Sequence, residues 1–214
     1  MPGFVPKPAP ETGAAIRTVR VLSGAARTGM FWLLAGMFVV CGASTNGIMW
    51  SNFVPAASDH HMPATVAASL LSLIGVFSTV GALASGWLTD RFDPRRLLTV
   101  YFGVRAVTLI LLPGVLATTV GPSVIAFVIV YGLVDMATVP PVIALCRMRY
   151  REDGPIVFGW TNVAHQLGAG TSAFVGALAR EASGSYTSVW LVLSAMCVLA
   201  ALLAVLVRRV PVTS

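Results

Sequence analysis

The chain has 214 residues, 57% of them hydrophobic and 10% charged, with a formal net charge of +6 and a mean hydropathy of +0.84. A soluble globular domain carries about 25% charged residues, so lipid rather than water must be the main solvent of this surface. The basic excess does not point to nucleic acid, because the arginines sit at the ends of apolar segments instead of forming one patch.

Residues 1–28 hold Pro2, Pro6, Pro8 and Pro10, then Arg17, Arg20 and Arg27. They contain no apolar core followed by a cleavage site, so they are not a secretory signal. They read as a flexible cytoplasmic leader. Residues 29–209 read as one membrane domain and 210–214 as a cytoplasmic tail. Within the domain, six apolar runs are long enough to cross the hydrocarbon core: residues 30–52, 64–88, 97–116, 123–146, 156–178 and 187–207. The runs are continuous and do not alternate with period two, which selects helices over barrel strands. The expected fold class is all-α: a polytopic membrane protein with six transmembrane helices.

Orientation follows from the loops. Twelve of the 14 basic residues fall on one side: Lys7, Arg17, Arg20, Arg27, Arg91, Arg95, Arg96, Arg147, Arg149, Arg151, Arg208 and Arg209. The opposite side keeps Arg180. The positive-inside rule therefore makes both termini cytoplasmic, in a cell inner membrane. Trp32 and Trp87 then lie near the inner interface, and Trp50 and Trp190 near the outer one, as an aromatic belt.

In the first span, Ser44, Thr45, Asn46 and Asn52 bring hydroxyls and amides into the outer half, where such groups turn to the bundle interior. Thr45 and Asn46 are candidate cavity residues. The loop after it carries Asp59, His60 and His61, read as solvated. The second span ends on Gly86-Trp87-Leu88-Thr89-Asp90-Arg91, with Arg95 and Arg96 close behind. The third span contains Arg105 and the fourth Asp135, roughly 12 and 17 Å deep at 1.5 Å rise per residue. An intramembrane charge is costly and needs a partner, so Arg105 and Asp135 are expected to form an ion pair, and Asp135 is also a cavity candidate. Pro140-Pro141 removes two backbone donors and must kink the fourth span. In the fifth span, Thr161, Asn162, His165 and Gln166 form a polar stripe, with His165 roughly 14 Å deep. The stripe is expected to line a cavity, and His165 titrates near neutral pH, suiting it to a coupling proton. Glycines such as Gly75, Gly81, Gly86, Gly168, Gly170 and Gly176 permit close helix approach. Cys41, Cys146 and Cys197 read as small packing residues. No phosphate-cradling loop, nucleophile triad or metal-ligand spacing occurs, so no enzyme, cofactor or metal is expected.

The run Gly86-x-Leu88-x-Asp90-Arg91-x-Asp93-x-Arg95-Arg96 resembles the signature loop of the major facilitator superfamily, G-x-L-x-D-R-x-G-x-R-R, with Asp93 at the glycine position. Phe31–Gly36, Asp135–Pro141 and Gly159–Ala169 look like the seventh, tenth and eleventh helices of bacterial carboxylate-type members. The resemblance runs from about residue 29 to 209 and is to the C-terminal six-helix half. It implies a transporter half that moves a small organic solute, such as a carboxylate, by alternating access, with a coupling proton. It also implies a second half, either another copy or a separate N-terminal half, and a gating role for Gly86, Asp90, Arg91, Arg95 and Arg96. Asp90 is expected to contact nearby arginines and the start of the fifth span near Pro155. The alternative is a non-transporting membrane-interaction protein or an inactive fragment of a split transporter gene.

Overall fold

The computed structural model describes residues 11–207; Lys7, the four early prolines, Arg208, Arg209 and the 210–214 tail lie outside them. Every regular element among the described residues is helical: α1 Glu11–Ala25, α2 Gly29–Gly42, α3 Met49–Asp59, α4 Ala64–Thr89, α5 Pro94–Val115, α6 Pro122–Asp135, α7 Val139–Tyr150, α8 Gly154–Ser183 and α9 Thr187–Leu206. Five stretches are long and apolar enough to cross a membrane, and the fourth of them, Pro122–Ser183, runs for 62 residues. At 1.5 Å per residue that is about three times one bilayer core. It folds back at Arg151, whose φ of 49° opens a short 3-10 turn before α8.

The bundle is covered outwardly by apolar side chains. Val76, Val80, Leu83 and Trp87 of α4, Val107 and Leu111 of α5, and Leu199, Leu202 and Val205 of α9 are exposed. In water such a surface would aggregate; in lipid it is solvated. The core is made chiefly where α5 packs on α9, α2 on α8 and α4 on α6. Gly42 and Gly168 explain the closeness of α2 and α8: a Cβ on either would collide with the main chain of His165 or Val39. Gly86 and Gly170 face open space, so their expected packing role is absent. Trp190 is a correction too. It is 1% exposed and fills the core instead of an interfacial belt, because its face of α9 is the one turned to α5.

The leader expectation is corrected for residues 11–25, which form α1. Val21, Leu22 and Ala25 share a helical face and pack against the core. Arg17 pairs with Asp153 at 3.0 Å, and the Thr28 and Tyr150 hydroxyls lie 2.7 Å apart. At the opposite end, Arg180 makes a two-point ion pair with Asp59, its Nε donating at 2.8 Å. This joins the end of α3 to the end of α8.

Two spans are interrupted. The first is continuous from α2 to α3 but widens into a π-helical turn at Ala43–Gly47. Ser44 and Thr45 hydroxyls donate back to Val40 and Cys41 carbonyls at 2.8 Å each, a habit that bends helices. The released Ser44 carbonyl accepts the Tyr131 hydroxyl at 2.7 Å.

The fourth span breaks completely between α6 and α7. The last carbonyls of a helix have no partner within it, and Pro140 and Pro141 lack the N–H groups that would have continued the ladder. In lipid each such carbonyl must find a donor, and four here do so outside the α6 ladder. Arg105, fully buried, donates through Nη2 to the Val134 and Asp135 main-chain oxygens, both at 2.6 Å. Met136 accepts from the Val139 N–H at 3.2 Å. Ala137 accepts from the Ser85 hydroxyl at 2.6 Å. The expected ion pair is therefore corrected: no Arg105–carboxylate contact lies within 4.0 Å among the described residues, and the guanidinium holds the backbone of Asp135 instead. Its remaining contacts are Cys41 Sγ at 3.3 Å and Ser44 Oγ at 3.4 Å.

An unmet buried carbonyl costs about 1–3 kcal/mol. Ser85→Ala strips one and Arg105→Leu strips two. The expected order of thermal stability in mild detergent is parent, then Ser85→Ala, then Arg105→Leu, with losses of about 1–3 and about 2–6 kcal/mol. Equal losses would show that the two bonds of Arg105 do not act on the break.

Candidate functional site: a polar cavity at two helix interruptions

The interruptions of the first and fourth spans face each other, and α8 closes the third side. Between them lies a cavity of about 130 Å³ lined by Phe38, Cys41, Thr45, Asn46, Asp135, Met136, Val139, Asn162, His165 and Gln166. Larger grooves of about 420 and 510 Å³ run between α8 and α9 and between α5 and α6. Their walls are almost wholly apolar, which suits lipid or packing rather than a polar ligand.

The structure thus gathers Thr45, Asn46, Asp135, Asn162, His165 and Gln166 at one place. Thr161 does not join them: it is fully buried and donates to the Phe158 carbonyl at 2.8 Å. One residue is 100° of helix, so Thr161 and Asn162 cannot share a face squarely. Thr161 falls on the side packed into the bundle.

Asp135 ends α6. Its Oδ2 accepts from the Ser78 hydroxyl at 2.7 Å and the Trp50 indole N–H at 3.3 Å. Its Oδ1 is buried and has no hydrogen-bond partner. The His165 ring meets Phe38 edge-on, with centroids 5.7 Å apart, and its Nδ1 is likewise buried without a partner. Cys41 bridges cavity and core, with its sulfur 3.2 Å from the Thr138 hydroxyl. Sequence reasoning treated Cys41 as packing and missed Ser78, Trp50 and Ser85. Ser78 and Ser85, seven residues apart, lie on one helical face of an otherwise apolar α4, and that spacing was the available signal.

At the loop between α4 and α5, Arg91 donates to the Trp87 carbonyl at 3.3 Å and stacks on the Trp87 ring at 3.9 Å. Asp90 caps α4 and is exposed, and no ion pair joins it to an arginine or to the start of α8. That expected contact is absent because Arg95 is engaged elsewhere. Asp93, the residue departing from the signature, caps α5: its carboxylate accepts the Arg95 N–H at 3.0 Å and clamps the Arg95 side chain at 3.0 and 2.6 Å. Arg95 in turn donates to the Val207 carbonyl at 2.8 Å, tying this loop to the end of α9. Arg96 makes no ion pair among the described residues, and Gly86 has open space beside it.

The Arg95 side chain holds the Asp93 carboxyl below its ordinary range, against the opposing effect of burial. A depressed carboxylate pKa adds stability that is complete above the unfolded value, about 3.9, and is lost as pH falls through the folded value. Asp93→Ala is expected to cost about 1 kcal/mol at pH 7, through cap and clamp together. The difference from the parent should shrink as thermal unfolding is followed downward from pH 5. A difference that stays constant across that range would mean that the carboxylate charge plays no part.

Comparison with known proteins places this geometry. The profile of the Major Facilitator Superfamily matches residues 32–214. The chain is 27% identical over 184 residues to the uncharacterized MFS-type transporter YcxA of Bacillus subtilis (strain 168), an alignment covering 84% of this chain and 43% of that protein. Its fold is similar to the crystal structure of the E. coli fucose:proton symporter FucP, with TM-score 0.73 and 20% identity, over 88% of this chain and 45% of the symporter. The chain spans less than half the length of both relatives. With the family profile covering most of its residues and apolar helices long enough to cross a bilayer, this chain is a multi-pass membrane protein belonging to the Major Facilitator Superfamily of transporters.

Proposed function

We propose that the chain is one half of a solute transporter: six crossings, both termini cytoplasmic, working by alternating access once a second half covers its cavity. One observation carries this reading. Six polar side chains from three helices meet in one cavity at two helix interruptions, and discontinuous helices lining a polar site near the bilayer midplane are how transporter sites are built. The six crossings count the two arms of Pro122–Ser183 separately.

Asn46, Asn162 and Gln166 are exposed on the open side of the cavity. Amides facing lipid are costly, so the reading includes a covering half, either a second copy or a separate N-terminal half. The solute is a small organic molecule, and His165 and Asp135 are the groups suited to carry a coupling proton. A carboxylate solute, implied by the resemblance, would need a cationic or N–H-rich wall. None of the cavity's described lining residues is lysine or arginine.

Two measurements test the proposal. Cysteine placed at His60 should be labelled from outside intact cells by an impermeant thiol reagent, and cysteine at Arg95 should not; the reverse pattern would invert the topology. The chain reconstituted in liposomes with its partner half should accumulate solute, and Asn162→Ala with Gln166→Ala should lower uptake at least about fivefold, given about 0.5–1.5 kcal/mol per lost hydrogen bond. A chain that stays monomeric in lipid and is inactive in every combination would leave the interaction-protein or fragment alternative.

A further inference from the structure

We infer that this wall of the cavity recognises a cationic, hydrogen-bond-donating group, a protonated amine on the solute, with Asp135 as its counter-charge. The inference rests on the transporter reading for the word solute, and otherwise on the geometry of Asp135, Arg105 and α7.

Asp135 is 3% exposed, yet one of its two carboxylate oxygens has no donor. A buried ionised oxygen left unmet is expensive. The cavity that the carboxylate lines supplies no lysine or arginine. Arg105 lies near enough to feel the Asp135 carboxylate but makes no ion pair with it within 4.0 Å among the described residues. Its Nη2 is given to the last carbonyls of α6, where the helix dipole places about half a negative charge. The guanidinium's donors are thus committed to the helix end. The side-chain carboxylate keeps its own demand for a positive partner, and the other cavity groups agree with it. His165 brings an Nδ1 that is buried and unpartnered. Phe38 presents an aromatic ring to the same space, and such rings attract cations.

The opposite assignment, an anionic solute group, has an obvious place to bind and the chain has disabled it. The N-terminal turn of a half-helix is where transporters present N–H donors to a carboxylate. In α7 that turn reads Val139-Pro140-Pro141. Both prolines lack the N–H, and the Val139 N–H is bonded to Met136. The α7 terminus therefore has no free donor in its first three positions.

The test uses the full chain in lipid nanodiscs and does not require transport. Asn46 is exposed and lines the cavity, so Asn46→Cys puts a thiol there. The reaction rates of a cationic (trimethylammonium-ethyl) and an anionic (sulfonatoethyl) methanethiosulfonate are measured, and their ratio is divided by the same ratio for free 2-mercaptoethanol. Labelling of the parent, from its three buried cysteines, is subtracted. The normalised ratio should favour the cationic reagent roughly fivefold, as expected for a unit charge at cavity distances in a medium between protein and water. In Asp135→Asn with Asn46→Cys it should fall to near one. Asp135→Asn keeps the shape and an acceptor oxygen, an unchanged thermal unfolding midpoint shows that it folds as the parent does, and a second background with Cys146 and Cys197 replaced by alanine limits labelling of native thiols. A ratio of one or below in the Asn46→Cys chain, or a preference unchanged by Asp135→Asn, overturns the inference. Failed uptake in liposomes would defeat the transporter reading and leave this result untouched.

Discussion

The structure depends on how four backbone carbonyls are satisfied away from water. Pro140 and Pro141 interrupt the fourth span at mid-bundle, where solvent cannot repair the loss. Arg105 supplies two donors, Ser85 one, and the local Val139 N–H the last. These come from α5, α4 and the break itself, so the interruption fixes the mutual positions of three helices. A guanidinium suits this task better than an ammonium. Its planar fork presents several N–H groups in fixed directions and stays charged. It also meets the negative end of α6, whose dipole offsets about half of the buried charge, with the nearby Asp135 carboxylate adding to it.

The cavity is a consequence of that interruption. Ending α6 at Asp135 leaves the carboxylate at a helix terminus, held by Ser78 and Trp50 on one oxygen, while the other is buried without a hydrogen-bond partner. The π-helical turn of the first span sits opposite and is tied to α6 through the Tyr131 hydroxyl. Local widening of this kind recurs at functional sites, and here it sets Thr45 and Asn46 toward the cavity. The close approach of α2 and α8 at Gly42 and Gly168 brings His165 and its neighbours to complete the wall. Fold and site are therefore one construction, and a change at Arg105 reaches the cavity without touching it.

Much of this was legible in the sequence because it follows from strong, local chemistry. The apolar runs, the prolines, the signature loop and the polar residues 45, 46, 162, 165 and 166 all announce themselves. What was not legible is which partner each polar group takes. Charge alone pairs Arg105 with Asp135, but the end of α6 leaves the Val134 and Asp135 carbonyls open as main-chain acceptors, and a guanidinium serves those as readily as a carboxylate. Thr161 and Asn162 are adjacent in sequence and part company by one helical step. Trp190 reads as interfacial by type and depth and is buried by the rotation of α9, which only packing decides. Asp93 looked like a flaw in a motif, but the structure shows a helix cap and the clamp of Arg95. Even α1 was hidden, since its apolar positions Val21, Leu22 and Ala25 are few and become a face only when something is present to receive them.

The central claim is that Arg105 is retained to serve the Val134 and Asp135 carbonyls left open where α6 ends at the proline-marked break. A double-mutant cycle between Arg105→Leu and the paired change Pro140→Ala with Pro141→Ala tests it most directly, read as thermal stability of the purified chain in one detergent. Without the proline rings the helix can run on: the N–H groups restored at 140 and 141 take the Met136 and Ala137 carbonyls, the Thr138 and Val139 N–H groups return to Val134 and Asp135, and the arginine loses its partners and becomes a buried, unmatched charge. Each side of the cycle alone should therefore be strongly destabilised, and the combination should recover most of the loss, a coupling of about 2 kcal/mol or more. Additive effects within about 0.5 kcal/mol would contradict the account.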